Sequence, residues 1–386
     1  MHVVILGAGY AGVTLTQQLE SALPASVELT IVDESETHLV QHEVHRAIRR
    51  PSITDAIEIP LDSLFDRAEI VTDRVTAVDT EAQTVSLASG ADLRYDYAGL
   101  CLGADTAFYG LPGLEAHGLP LKTTSDAEAI RTQALDIIDS GESARVVVGG
   151  AGLSGVQVAG ELAALAAEED AVDRLEILIV EQLDSVAPAF PAAFQRAVET
   201  ELSDREIEVR TNTTVTRATE SAIETREEST GDEQSVAYDL FVWTGGIGGS
   251  AAMAGDRPVV QADLRLTPST FALGDAAKIV DADGEAVPAS ASAAIRSARV
   301  AADNIASLVD WELDGREGFE PRLRQFRFDV PGWIVSVGDG AVAQVGPKVV
   351  TGSAAKTLKA SVGAGYLSSV RAIRQATELV GEELHT

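Results

Sequence analysis

Apolar positions in this chain gather into short runs that end at glycine turns and lead into stretches with helical spacing. Val3–Leu6 runs into Gly7-Ala8-Gly9-Tyr10-Ala11-Gly12, and Val146–Val148 runs into Gly150-Ala151-Gly152-Leu153-Ser154-Gly155. Each pattern predicts a strand, a tight glycine turn and an amphipathic helix. Val27–Val32, ending at Asp33, and Leu175–Val180, ending at Glu181, read as the next strands of the two units. Three further apolar runs end at loops: Tyr97–Leu102 before Gly103, Leu240–Trp243 before Thr244-Gly245-Gly246, and Phe271–Leu273 before Gly274-Asp275.

Between these edges the pattern changes. Residues 69–100 alternate around a Ser89-Gly90 turn and predict a small antiparallel insert. Residues 123–142 predict a polar helix, and the polar stretch 219–236 predicts an exposed hairpin loop. After Pro288 a helix over 289–309 begins with small side chains, Ala289 to Ala294. Trp333–Val345 predicts a hairpin turning at Asp339-Gly340, and 353–377 a final amphipathic helix with the stripe Leu358, Val362, Tyr366, Val370 and Ile373. Val146–Ala167 is about 22 residues, near the length of a bilayer span. It contains the second glycine turn with Gln157 and Glu161, which favours a buried strand-turn-helix.

The glycine turns carry the first chemistry. G-x-G-x-x-G between a strand and a helix lets the backbone approach a pyrophosphate, which the helix N-terminus receives. Two copies predict two dinucleotides brought together for electron transfer. Asp33 lies about 20 residues beyond Gly12, where a carboxylate accepts hydrogen bonds from ribose hydroxyls. Glu181 at the matching place favours NAD, because a 2′-phosphate would meet like charge.

Composition narrows the partners. The chain has 386 residues, enough for two or three domains, with 60 acidic against 29 basic residues and a net charge of −31. Such an acidic chain with only five lysines argues against nucleic-acid binding and resembles the proteins of salt-adapted organisms. A mean hydropathy of +0.09 excludes a largely disordered chain. The lone Cys101 excludes an internal disulfide and reads as a small core residue. The first strand begins at once, which leaves no room for a signal peptide and predicts a cytoplasmic protein. Residues 321–375 reverse the charge balance, with eight basic and two acidic side chains, or +8 − 2 = +6. A basic amphipathic helix over 353–377 predicts contact with an anionic membrane surface, or docking on the acidic body or across a homodimer interface.

Five stretches in order, VVILGAGYAG at 3–12, YGLPGLEAHGLPLKTTSDA at 109–127, VVVGGAGLSGVQVAGEL at 146–162, FVWTGGI at 241–247 and FALGDAA at 271–277, resemble the two-dinucleotide-binding-domain flavoproteins. Within them the chain looks like the type II NADH:quinone oxidoreductases. The resemblance implies an α/β fold of two Rossmann-like domains, with the NAD domain (116–243) inserted in the FAD domain (1–115 and 244–320). A C-terminal hairpin and helix (321–386) follow. It implies FAD on Gly7, Ala8, Gly9, Tyr10, Ala11 and Gly12, with Asp33 at the ribose, Gly103 at the adenosine half and Gly274-Asp275 at the ribityl chain or pyrophosphate. The 289–309 helix would aim its N-terminus, about half a positive charge, at the flavin pyrimidine edge. NADH would lie on Gly150, Gly152, Gly155 and Glu181, with Gly245-Gly246 at the nicotinamide. Electrons would pass to a membrane quinone, the enzyme lying peripherally on the inner face of the cell membrane.

The chain departs from the resembled family in three places. No cysteine follows the second strand, which excludes thiol-disulfide chemistry and disfavours sulfide oxidation. Gln157 stands where the family has Glu; it can orient a nicotinamide amide but cannot relay protons. The family's Ala-Gln-x-Ala-x-Gln-Gln reads Ala291-Ser292-Ala293-Ala294-Ile295-Arg296-Ser297 here, so Arg296 becomes the candidate for a quinone carbonyl or an anionic acceptor. Those losses leave open a soluble NADH oxidase, diaphorase or ferredoxin-type reductase, and a redox sensor with little turnover. His38, His42 and His45 with Glu43 have metal-like spacing, but the segment reads better as the flavin side with no metal. Arg46, Arg49 and Arg50 are then candidates for the cofactor's phosphates.

Overall fold

The computed structural model describes residues 1–385, with side chains as far as Gly381. Its larger sheet has six strands in the order Arg265–Thr267, Thr270–Ala272, Tyr97–Leu100, His2–Leu6, Glu28–Asp33, Glu69–Thr72. All neighbours are parallel except the first pair. Strands before residue 101 and after residue 264 therefore share one sheet, and residues between them build a second. That second sheet is four parallel strands, Glu208–Arg210, Leu175–Val180, Ala144–Gly149 and Leu240–Trp243. The architecture is two Rossmann-like units, one threaded into the other. A short antiparallel ribbon, Asp105–Thr106 with Ile247–Gly248, lies where the chain crosses between them.

Register places the functional edge. Leu6 pairs with Val32 and Leu100, and Gly149 pairs with Val180 and Trp243. Each glycine turn thus leaves its sheet level with the acidic end of the next strand. Both turns need glycine for the same reasons. Gly7 and Gly150 sit at φ of 98° and 100°, a region that suits glycine. A Cβ on Gly12 would collide with the Gly7 carbonyl oxygen, and one on Gly155 with that of Gly150. The helices Tyr10–Ala22 and Leu153–Glu168 can therefore start only one residue-width from their turns. Gly9 and Gly152 face open space instead, with nothing within 4 Å of a built Cβ.

Several expected elements shift. Glu69–Thr72 joins the parallel sheet, so only Val75–Asp79, Thr84–Leu87 and Asp92–Arg94 form the antiparallel insert. The 219–236 loop is part of a three-stranded meander whose inner face buries Ile223, Thr225 and Val236. The polar helix runs Thr124–Asp139, closed by a capping box between Thr123 and Asp126. The later helix runs Ala291–Leu313 and is capped by the Ser290 hydroxyl. Its small residues Ala294, Ala298, Ala301 and Ala302 are buried where it packs against Tyr10–Ala22.

The C-terminal region differs most from expectation. The hairpin pairs Gly332–Val337 with Gly340–Val345, turning at Gly338-Asp339, one residue earlier than read, and Lys348–Thr351 adds a third strand. The single helix expected over 353–377 is two, Gly352–Ser369 and Ile373–His385. Arg371 takes φ 69°, its N–H donates to the Ser368 carbonyl, and the Ala372 N–H donates to that of Leu367. That is a Schellman closure built without glycine. The buried face holds Lys359, Gly363, Tyr366 and Leu367, whereas Val362 and Ile373 of the expected stripe are 53% and 69% exposed. Among the described residues no helix is long and apolar enough to cross a membrane.

The arginines after the second strand, candidates for phosphate contacts, pair with carboxylates and hold the units together. Arg49 is buried and donates from Nε to Glu161 at 2.8 Å, and from Nη1 to both Asp339 at 2.6 Å and Glu168 at 3.2 Å. Arg50 pairs with Glu168 and Arg46 with Glu43. One side chain thereby joins the first unit, the second fingerprint helix and the C-terminal hairpin. Arg49→Ala leaves Glu161 buried without its partner, and we expect a loss of about 3 kcal/mol in denaturant unfolding. The pair Arg49→Met with Glu161→Leu should recover most of it, because it removes both charges.

Candidate functional site

A cavity of about 360 Å³ opens between the two fingerprints and is walled by both. Gly9, Tyr10 and Ala11 line it from the first helix, and Leu153, Ser154 and Gln157 from the second. Gly103, Thr244, Gly246 and Asp275 come from the strand ends, Ser290 and Ala291 from the start of the small-residue helix, and Ile334, Lys359 and Val362 from the C-terminal region. The small-residue helix therefore does present its N-terminus to the cavity.

The two acidic strand ends make the same local motif. Asp33 accepts from the Ala8 N–H at 2.6 Å and the Ser35 N–H at 2.9 Å. Glu181 accepts from the Ala151 N–H at 2.7 Å and the Leu183 N–H at 2.8 Å. Each carboxylate braces the second residue of its own glycine turn. Burial pushes the Asp33 carboxyl up, against the two backbone donors that lower it. Gly274, at φ 61°, brings its turn to within 3.1 Å of Ala11 Cβ and 3.3 Å of Ala294 Cβ for a built Cβ, which seats Asp275 in the cavity. Gly245 lies behind the cavity wall, stacked on Gly150 and the Trp243 ring, while Gly246 lines it.

The geometry fits a dinucleotide. Asp275 and Lys122 both face the cavity, and among the described residues neither side chain has an ion pair or hydrogen-bond partner. Burial pushes the Asp275 carboxyl up, partly offset by Lys122 and Arg257; burial also pushes the Lys122 ammonium down, against Asp275 and Asp105. A half-buried cation and anion left open to one cavity suit a ligand with phosphates and hydroxyls. The open faces of Gly9 and Gly152 suit its close approach.

Other candidates fall elsewhere. Arg296 is exposed on the outer face of its helix, its Nε donating to Ser292 Oγ at 3.2 Å, and it does not line the cavity. The helix turns that position away because its inner face carries Ala293, Ala294 and Ser297. Gln157 does line the cavity, with an amide that carries no titratable proton. Cys101 is buried, and burial pushes its thiol up, as suits a packing residue. No group of three or more metal-type ligands occurs among the described residues.

The histidines separate. His38 is buried in the strand Thr37–Leu39, its Nδ1 2.8 Å from the Ala8 carbonyl and its Nε2 2.7 Å from the Tyr366 hydroxyl. A carbonyl only accepts, so Nδ1 carries the proton and Nε2 accepts from Tyr366. His45 is buried against Ser336 Oγ at 2.7 Å. His42 lines the cavity and bonds the Tyr10 hydroxyl. Two residues not singled out from sequence complete the wall. Lys359 is buried and pairs with buried Glu43 at 2.9 Å, and Lys122 is described above. Rarity was an available signal: two of only five lysines line one cavity.

Burial pushes the His38 ring down to about 4, with the Ala8 carbonyl opposing. A histidine held neutral contributes stability that is complete above its unfolded value, about 6.5, and is lost as pH falls towards 4. The loss over that window should reach about 3 kcal/mol. His38→Asn should flatten, without abolishing, the acid limb of stability in unfolding measured from pH 7 to 4, because burial also holds His45 well below its ordinary value.

The chain is similar to known proteins in sequence and in fold. The family pattern for pyridine nucleotide-disulphide oxidoreductases matches residues 1–298. A type II NADH:quinone oxidoreductase of Staphylococcus aureus is 25% identical over 92% of each chain. The demethylphylloquinone reductase NdbB of Synechocystis is 28% identical over 88% of this chain and 86% of its own. NDH2 from Plasmodium falciparum, solved in complex with NADH, superposes with a TM-score of 0.84 at 15% identity, covering 98% of this chain and 97% of its own. A sulfide:quinone oxidoreductase from Aquifex aeolicus reaches 0.79 at 18% identity over 96% of this chain and 91% of its own. With the two glycine units, their braced carboxylates and the cavity between them, this chain belongs to the pyridine nucleotide-disulphide oxidoreductase family.

Proposed function

We propose that this protein is a FAD-dependent NADH dehydrogenase that delivers electrons to a quinone. The observation that carries the reading is one cavity walled by both glycine units, so that two dinucleotides meet end to end. FAD, when bound, supplies a two-electron carrier between NADH and the acceptor. The residues around it bind and orient. Gly7 to Gly12 and Asp33 hold the first dinucleotide, Gly103 lies at its adenosine half, and Asp275 with Lys122 meets its hydroxyls and phosphates. Gly150, Gly152, Gly155 and Glu181 hold NADH, with Gly246 and Gln157 at the nicotinamide. The first site is closed by the C-terminal helix above Tyr10 and retains its cofactor; the second exchanges its ligand.

The quinone reading draws on the names of the relatives and on the C-terminal wall, Ile334, Lys359 and Val362. Membrane attachment on the cytoplasmic side would rest on apolar contact more than charge. Arg324, Arg327, Arg371 and Arg374 pair with Asp303, Asp283, Asp66 and Glu378, and Lys359 is buried. Exposed Val345, Val362 and Ile373, near Lys348 and Lys356, remain for the bilayer or for a second copy of the chain. We read the net charge of −31 as an adaptation to high salt, where charge-based attachment would be screened. A soluble acceptor is the alternative that the lost glutamines favour.

Purified protein should carry FAD, and NADH should bleach it anaerobically. A short-chain quinone should then restore the oxidised spectrum faster than ferredoxin or a dye; restoration by soluble acceptors alone would overturn the quinone assignment. Glu181 sets the nucleotide preference, since two like charges about 4 Å apart in a medium of effective dielectric about 20 repel by about 4 kcal/mol. With screening, NADH should bleach the flavin at least about tenfold faster than NADPH at equal concentration. Glu181→Ala should bring the two rates together.

A further inference from the structure

Quinone reduction by NADH does not conserve protons. A quinol carries two electrons and two protons more than the quinone, while NADH delivers a hydride, so each turnover is NADH + H⁺ + quinone → NAD⁺ + quinol. One proton must come from solvent and reach an acceptor oxygen in the cavity. Gln157 cannot carry it. Lys359 is 5% exposed and its ammonium is paired with buried Glu43. Lys122 stands with Asp275, where the first dinucleotide is read to bind.

His42 differs on each count. Its ring lines the cavity and is 34% exposed, open to exchange with solvent. Nδ1 is hydrogen-bonded to the Tyr10 hydroxyl, and the His42 backbone N–H donates to the same oxygen at 3.2 Å. When Nδ1 carries a proton, that oxygen accepts twice from His42, which leaves the Tyr10 O–H free to donate into the cavity that Tyr10 lines. On the other side, Nε2 is 3.4 Å from Glu43 Oε1. Burial raises the Glu43 carboxyl, but Lys359, His42 and Arg46 outweigh it and keep the group ionised. The imidazolium thus has an acceptor at each nitrogen, Tyr10 Oη at Nδ1–H and Glu43 at Nε2–H. The Tyr10 ring is fixed edge-on by Tyr366 at 4.9 Å and His38 at 5.4 Å between centroids. Burial pushes its hydroxyl well above the ordinary value, so it stays protonated between transfers. Facing His42 are Tyr10 from the fingerprint helix, His38 from its strand, and Glu43 and His45 from its own turn, while Lys359 of the C-terminal helix and Arg46 act on it through Glu43.

We infer that His42 and Tyr10 form the relay that brings the solvent proton to the quinone, an inference resting on the quinone reading above. The Tyr10 O–H bond breaks as its proton forms the O–H of the acceptor. The Nδ1–H bond of His42 breaks to restore the tyrosine O–H, and the imidazole regains a proton from solvent. The electrons and the other hydrogen derive from NADH, so atoms and charge balance. Only this chain's Tyr10 touches the acceptor; His42 acts through it.

The test separates the half-reactions on FAD-loaded protein. His42→Gln keeps a donor beside Tyr10 but cannot carry a proton. NADH-driven bleaching should stay within about twofold of the parent, whereas re-oxidation by a short-chain quinone at pH 7 should slow by about a hundredfold, the usual scale of general acid catalysis. His42→Ala should be partly rescued by imidazole, and Tyr10→Phe should slow re-oxidation without such rescue. A second readout does not depend on turnover. In ring-labelled holoprotein the NMR signal that vanishes in His42→Gln should titrate, with a midpoint that moves in Tyr10→Phe. Re-oxidation of His42→Gln at the parent rate, or a midpoint indifferent to Tyr10→Phe, would overturn the relay alone. Failure of the parent protein to be re-oxidised by quinone would overturn the quinone reading and the relay together.

Discussion

Arg49 is the constraint on which the functional geometry depends. It starts from the short helical turn Gln41–Ile48, which carries His42 and Glu43, and ends on Glu161, Asp339 and Glu168. A guanidinium suits this place because its planar fork serves several oxygens and stays charged under burial. Glu161 needs it in turn, since burial alone raises that carboxyl and Arg49 supplies the main opposing charge. Buried ion pairs stabilise weakly but are costly to break. That asymmetry suits a clasp: it fixes how the second fingerprint helix and the C-terminal hairpin meet the first unit, and so fixes the shape of the cavity.

Around that clasp the molecule uses one local device twice. A strand, a glycine turn with its Cβ-free contacts and a carboxylate bracing the second turn residue recur in both units. What distinguishes the copies is their surroundings. The first is overlain by Tyr366 and His38, with Asp275 and Lys122 alongside. The second has Gln157 and Gly246 on its open side. Identical backbone chemistry thus stands in two different surroundings, one overlain by the C-terminal helix and one not.

The C-terminal region completes the site through buried polar contacts. Tyr366 reaches His38, Lys359 reaches Glu43, and Ser336 reaches His45, so three points of the tail meet three side chains of the segment after the second strand. The same contacts take Lys359 out of the basic surface that its charge suggests. The tail is therefore a wall of the cavity first, and any surface it offers to a membrane or a second copy is what remains.

How much of this was legible depends on sequence distance. Gly7 with Gly12, Gly150 with Gly155, and Asp33 with Ala8 lie within one strand-turn-helix unit, where backbone sterics and one hydrogen bond decide the outcome. Those units, the order of strands around them and the pairing of two dinucleotide sites could be read from residue types and spacing. Charged and aromatic side chains were another matter. Arg49 finds Glu161 from 112 residues away and Lys359 finds Glu43 from 316, and before folding each has many equivalent partners in an acidic chain. Arg49 accordingly looked like a phosphate ligand and Arg296 like an acceptor ligand. The helix stop at Arg371 has no glycine to announce it. Local stereochemistry determined the two strand-turn-helix units with their braced carboxylates, while only the packing of distant segments settled which charges are spent on the structure and which side chains line the cavity.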